Sequence, residues 1–183
     1  MLYIMRHGKT DWNMLHKLQG QTDIELNDEG RSMSLAANEA YKDVHLDICF
    51  CSPLKRAKET AALVLKGRDV PVVYDDRLKE MFFGKYEGLA NSFKIENCHI
   101  NELFHHPETY FPDEDGGESL DELFARTGAF LEEKVYPLLE EGKDILIIGH
   151  GAMNHSIECQ VAKRPLKDFW ITGIENCKLY RLL

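Results

Sequence analysis

Leu2-Tyr3-Ile4-Met5-Arg6-His7-Gly8 is an apolar run that stops at an arginine, a histidine and a glycine. The far end of the chain echoes it, where Ile145-Leu146-Ile147-Ile148 runs into Gly149-His150-Gly151. Short apolar runs bounded in this way read as buried strands. Side by side in one sheet, they bring two imidazoles to one edge, next to an arginine. Between them, strands and helices alternate at the spacing of a parallel α/β sheet. Asp47-Ile48-Cys49-Phe50-Cys51 is the expected second strand. Val70 to Tyr74 is a short third strand, and Pro71 assigns it to a sheet edge or a strand start. One helix is expected from an Asn27 cap to about residue 42. Another is expected to about Lys66, with Ser52 as cap and Pro53 in its first turn. Residues 78 to 118 have weak periodicity and read as an excursion off the sheet, helical in parts, covering the active edge. It ends in the acidic turn segment Pro112-Asp113-Glu114-Asp115-Gly116-Gly117. A long amphipathic helix follows from Glu118 to about Glu140, then a central strand from Asp144 to Gly149. A helix from Ala152 to Val161 and a last strand from Cys177 to Leu182 complete the reading.

The chain has 183 residues, 44% hydrophobic and 29% charged, which suits one soluble domain over residues 1–183. Its net charge of −9 speaks against a nucleic-acid binder, which normally presents a basic face. A local cluster of arginines and histidines can still be positive inside an acidic molecule. No apolar run approaches a membrane span, and no basic segment with an apolar stretch and cleavage site opens the chain, so neither membrane insertion nor a signal peptide is expected. Five cysteines in no regular spacing speak against a disulfide framework, and a reducing cytoplasm is the expected compartment. Cys98 and His99 lack a matching second pair, so no metal site is expected. The third-strand region and the last strand are the edges open to a homodimer.

In an open α/β sheet, ligands bind beyond the carboxyl ends of the strands. Arg6, His7 and His150 stand at such ends, Arg56 in the first turns after the second strand, and Glu80 after the third. The guanidinium forks of Arg6 and Arg56 match phosphoryl oxygens. A neutral imidazole attacks phosphorus near neutral pH, and His7 is the better nucleophile because Gly8 lets the backbone approach closely. A backbone acceptor on its other ring nitrogen would orient it. His150 would donate to the phosphoryl oxygens, and Gly151 would open a helix whose N–H groups add to the site. Glu80, beside Met81, Phe82 and Phe83, would protonate the leaving oxygen and later take a proton from water. Such a ping-pong reaction uses no metal or cofactor. A lone histidine after a strand is ordinarily a loop or core residue, and a lone Arg-His-Gly has little specificity. The joint occurrence of these residues, each at a strand end, favours catalysis.

The residues also carry a family resemblance. Leu2 to Asn13, Gln19 to Asn27, Ser52 to Ala61, Glu80 to Gly88, Gly117-Glu118-Ser119 and Gly149-His150-Gly151 together resemble the histidine phosphatase superfamily in its phosphoglycerate mutase-like branch. The resemblance implies a three-layer α/β/α sandwich with a mostly parallel sheet. It implies phosphorylation of His7 during turnover, a phosphate pocket of Arg6, Arg56 and His150, and Glu80 as proton donor. It adds Asn13 as a further phosphate contact and Gln19 as a pocket residue. The expected substrate is a small-molecule phosphate monoester. Phosphatase is favoured over bisphosphoglycerate-dependent mutase, because residues 88 to 117 hold no arginine and only one lysine, Lys94, and instead carry Glu96, Glu102, Glu108, Asp113, Glu114 and Asp115. Glu80 to Gly84 and Gly116 to Ser119 are similar to α-ribazole phosphate phosphatases and to broad-specificity monoesterases. Phe82, Phe83, Tyr86 and Phe93 are candidates to pack on the organic part of a substrate. His105 and His106 read as surface residues, and His155 as the flank of a helix outside the pocket. A non-catalytic phospholigand-binding module is the alternative from another class, and the complete set of His7, Glu80, His150 and both arginines speaks against it.

Overall fold

A computed structural model of the chain describes residues 1–114 and 116–183. The expectation placed on Asp115 lies outside the described residues. The strands are β1 (Leu2–Arg6), β2 (Ile48–Cys51), β3 (Val72–Tyr74), β4 (Ile145–Gly149) and β5 (Leu179–Arg181). They form one sheet in the order β3-β2-β4-β1-β5. All neighbours are parallel except β5, which runs antiparallel to β1. The helices are α1 (Asp11–Met14), α2 (Asp28–Ala40), α3 (Lys55–Val64), α4 (Glu102–His105), α5 (Leu120–Phe130), α6 (Tyr136–Glu140) and α7 (Gly151–Ala162).

Alternation along the central strands divides the core in two. Leu2, Ile4, Phe50, Ile145 and Ile147 face Leu123, Phe130, Leu131, Met153 and Ile157 from α5, the turn after it, and α7. Tyr3, Met5, Cys49, Cys51, Leu146 and Ile148 face Ala37 of α2 and Ala57, Ala61 and Val64 of α3. Helices therefore cover both faces, which is the expected three-layer arrangement. In the register of β1 and β4, Arg6 pairs with Gly149, and the His7 N–H donates to Gly149 O at 2.9 Å. This pairing places His7 and His150 side by side at the carboxyl edge.

Two helix boundaries depart from the sequence reading. Ser52 does not cap α3, which starts at Lys55 after Leu54. The Ser52 hydroxyl is instead 2.7 Å from His150 Nε2. The expected helix over Glu118–Glu140 does start at a capping box of Ser119 and Glu122. It then passes through a π-helical turn over Leu131–Val135 before α6. Pro137 supplies the reason: it has no N–H for the carbonyl four residues back, and the wider turn lets Leu131 and Val135 both stay buried.

The excursion over 78–118 is a string of short turns that includes α4. Its apolar side chains Leu78, Met81, Ile100 and Leu103 are fully buried in the first core half. His105 and His106 are exposed, as expected. Among the described residues, no helix is long and apolar enough to cross a membrane.

Candidate active site

The carboxyl edge opens into a cavity of about 520 Å³, lined among others by Arg6, His7, Asn13, Gln19, Arg56, Glu80 and Gly151. Seven of the eight site residues read from the sequence therefore meet in one space. The eighth, His150, is fully buried against His7, with ring centroids 5.1 Å apart.

His7 sits at the end of β1 with its orientation fixed on three sides. Its Nδ1 lies 2.6 Å from Gly8 O, and because a carbonyl only accepts, Nδ1 carries the proton. Nε2 is left with its lone pair and accepts from Arg56 Nε at 3.3 Å. Asn176 Nδ2 holds His7 O at 2.6 Å, and Thr60 Oγ1 accepts the Gly8 N–H at 2.9 Å. Burial first, then the Arg56 and Arg6 charges, hold the His7 pKa well below its ordinary 6.5. His7 is thus neutral, with its nucleophilic nitrogen unprotonated and held by Arg56. Gly8 is obligatory here, since a Cβ would lie 2.6 Å from Gly30 O.

Arg56 is fully buried on the first turn of α3. Its Nη2 donates to Gly20 O at 2.6 Å and its Nη1 to Thr22 O at 2.9 Å. Burial pulls its pKa down to about 10, against the raising effect of Glu80. Arg6 is likewise lowered by burial, with Glu80 opposing. Arg6 Nε and His150 Nδ1 are both buried without a hydrogen-bond partner among the described residues. His150 is held well below the ordinary pKa by burial and then by Arg56, so it too is neutral.

Asn13 closes the capping box of α1: its Oδ1 accepts from the Thr10 N–H at 3.0 Å, which leaves the single proton of the Thr10 hydroxyl for Gln19. Gln19 Oε1 is 3.1 Å from the same hydroxyl. With both amide oxygens tied to Thr10, the amide nitrogens are the donors left for a ligand.

Glu80 has a setting the sequence did not suggest. Phe82 is 44% exposed and does not enclose it. The carboxylate instead occupies the N-terminus of α7, accepting from Met153 N at 3.0 Å and Ala152 N at 3.2 Å, and from Met81 N at 2.9 Å. Two backbone donors of that helix, the Ala152 and Met153 N–H groups, are therefore taken up by Glu80. A Cβ on Gly151 would stand 3.4 Å from Glu80 Oε2 and 3.8 Å from the Arg6 guanidinium carbon, so the acid and the arginine meet across this glycine.

Several supporting residues escaped the sequence reading. Arg126 donates to Glu80 O at 3.2 Å and Lys79 O at 2.8 Å, and pairs with Glu118 at 2.6 Å. Glu87 Oε1 accepts from Gln21 N at 2.8 Å and Phe83 N at 3.2 Å; its Oε2 accepts from Thr22 N at 2.9 Å and from the Thr22 hydroxyl. Glu87 thus holds the loop whose carbonyls hold Arg56. His155 lines the cavity rather than an outer flank. Its Nδ1 meets Gly151 O at 2.8 Å and its Nε2 meets Thr172 O at 2.6 Å, drawing the segment after α7 over the site. The acids of the cover also stand elsewhere than expected. Glu96, Glu102, Glu108 and Glu114 are exposed, and Asp113 binds Lys85 and the Tyr86 hydroxyl, each at 2.8 Å. Of the aromatic candidates only Phe83 lines the cavity, joined by Phe104 and Trp170.

The model of the histidine phosphatase superfamily (branch 1) matches residues 2–183. A phosphatase of Bacillus subtilis, PhoE, described as uncharacterized, is 34% identical over 87% of this chain and 76% of its own. A 2,3-bisphosphoglycerate-dependent phosphoglycerate mutase of Cytophaga hutchinsonii is 32% identical over 82% of this chain and 72% of its own. The α-ribazole phosphatase of Shigella flexneri superposes with a TM-score of 0.82 at 25% identity, covering 97% of this chain and 87% of that one. With the match running from β1 to the last strand, the chain belongs to the histidine phosphatase superfamily.

Proposed function

We propose that the protein hydrolyses a phosphomonoester through a phosphohistidine on His7. The observation that carries this reading is the state of His7: Nδ1–H fixed on Gly8 O, and an unprotonated Nε2 that accepts from Arg56 Nε at the cavity. Nε2 attacks phosphorus, the P–O ester bond breaks, and the leaving oxygen takes a proton from Glu80. Water then attacks phosphorus, the P–N bond breaks, and Glu80 recovers its proton from that water. The net change is ester and water to alcohol and phosphate, with His7 and Glu80 restored. Arg6, Arg56, Asn13 and Gln19 bind the phosphoryl oxygens in both steps. With Ser52 donating to His150 Nε2, the otherwise unpartnered Nδ1 of His150 carries the N–H that stabilises the transferring group.

Hydrolysis is favoured over mutase chemistry by the cavity wall. Beyond Arg6 and Arg56, no arginine among the described residues lines it to form a bidentate pair with a substrate carboxylate, and Lys17 is the one lysine on that wall. α-Ribazole phosphate is one candidate substrate, supported by the aromatic wall and by the likeness to the Shigella flexneri enzyme. The test is phosphate release from p-nitrophenyl phosphate in excess chelator. The reading expects chelator-resistant turnover that His7→Ala abolishes; interconversion of phosphoglycerates without hydrolysis would replace it with the mutase.

A further inference from the structure

A second cavity of about 530 Å³ adjoins the first and shares Asn13, Lys17, Leu18 and Phe104 with it. Its remaining wall includes His16, Phe93 and Lys94. No acidic side chain among the described residues lines it, although the chain carries a net charge of −9. Lys94 is the sole lysine of residues 88 to 117, and it stands on this groove.

Aromatic rings connect the two spaces. Trp170, on the wall of the first cavity, stacks on Phe104 at 5.2 Å. Phe104 borders both cavities and meets Phe93 edge-on at 5.1 Å. Phe93 is 61% exposed, a large apolar surface with no core to serve. The strip of rings therefore starts beside the phosphoryl pocket and runs into a groove that Lys17 and Lys94 also line. Apolar surface of this kind binds planar groups, and ammonium groups beside it bind an anion.

We infer that the groove is a leaving-group subsite for an extended phosphomonoester that carries a planar ring and, beside it, a second negative charge. The ring rests on Phe104 and Phe93, and the second anion faces Lys17 and Lys94, which line the same groove. This rests on the hydrolase reading above and names the substrate class for it. Small phosphoesters end within the first cavity and leave the groove unused.

The probes are adenosine 3′,5′-bisphosphate, adenosine 5′-monophosphate and glycerol 3-phosphate, with p-nitrophenyl phosphate as the reference. Initial phosphate release should give kcat/KM highest for the bisphosphate and lowest for glycerol 3-phosphate, with steps of about tenfold, the factor expected from roughly 1.4 kcal/mol. Lys94→Ala should collapse the ratio of bisphosphate to monophosphate. Phe93→Ala should narrow the ratio of monophosphate to glycerol phosphate. Equal kcat/KM for the three, or ratios that survive both substitutions, would overturn the subsite while turnover of p-nitrophenyl phosphate leaves the hydrolase standing. Without any turnover the hydrolase reading fails, and calorimetry still decides the groove. Binding of adenosine 3′,5′-bisphosphate weakened about tenfold by Lys94→Ala supports it, and unchanged binding removes it.

Discussion

Glu87 contacts no catalytic group, yet its replacement by glutamine should impair phosphate chemistry. Its carboxylate gathers Gln21 N, Thr22 N, the Thr22 hydroxyl and Phe83 N. That loop presents Gly20 O and Thr22 O to Arg56, which in turn donates to His7 Nε2. Gly20 holds φ +54°, and a Cβ there would sit 2.0 Å from Glu87 Oε1, so loop and carboxylate are fitted to each other. In Glu87→Gln one oxygen remains for Gln21 and Phe83, but an NH2 group replaces the acceptor of Thr22 N–H. A hydrogen bond to a charged group is worth about 1.5–3 kcal/mol, and an orphaned donor costs about 1–3 kcal/mol. A loss of about 2–3 kcal/mol is the expected scale, or a fall in Tm of roughly 4–12 °C for a chain of this size. Some of it should appear in chemistry, because Thr22 O moves and Arg56 loses one of its three fixed bonds. Thermal unfolding and p-nitrophenyl phosphate kinetics, run on the same preparation, separate the two effects. The reasoning requires kcat/KM at 25 °C to fall about tenfold or more in protein that is still folded, with weaker inhibition by phosphate. A lowered Tm with unchanged kcat/KM and unchanged phosphate inhibition would reduce Glu87 to a stabilising residue.

Gly8→Ala should cost about 1–3 kcal/mol of stability and most of the activity, because the new Cβ meets the rigid Gly30 carbonyl and displaces the Gly8 O that orients His7. Thermal melts and kinetics at 25 °C check it; a variant as active and stable as the parent would show that the fit has slack. The depressed histidines predict a pH dependence of stability. His7 and His150 stay neutral in the folded state below their unfolded pKa of about 6.5, so the unfolded chain binds more protons as pH falls. Stability should hold above that pH and decline below it, by up to about 1.4 kcal/mol per pH unit for each histidine. Urea melts between about pH 5.5 and 7.5 read the slope, and His7→Asn should make it shallower. An identical slope in the variant contradicts the burial argument.

The strand ends were legible because apolar runs break at Arg6-His7-Gly8 and Gly149-His150-Gly151, and the parallel register then places the two histidines together. The carboxyl-edge rule extended this to Arg56 and Glu80. What stayed hidden depends on long-range partners. Ser52 reads locally as a helix cap, but His150, at the end of the neighbouring strand, captures its hydroxyl. His155 reads as a helix flank until Thr172 O and Trp170 close over it, the latter with ring centroids 4.8 Å away. The charge of the cover is legible in the sequence, but its direction is not. Its glutamates face water while Phe104 faces the cavity. Glu80 followed an apolar local context in the sequence and an α7 amide context in space.

The most direct test of the account is to look for the covalent intermediate itself. Rapid quenching into alkali during turnover of p-nitrophenyl phosphate, followed by peptide mass spectrometry, should find one added phosphoryl group on His7. It should be labile to acid, absent from His7→Ala, and longer-lived in Glu80→Gln, where water loses its base. A phosphoryl group on another residue, or brisk hydrolysis by His7→Ala with no modified peptide at any time, would contradict the central claim.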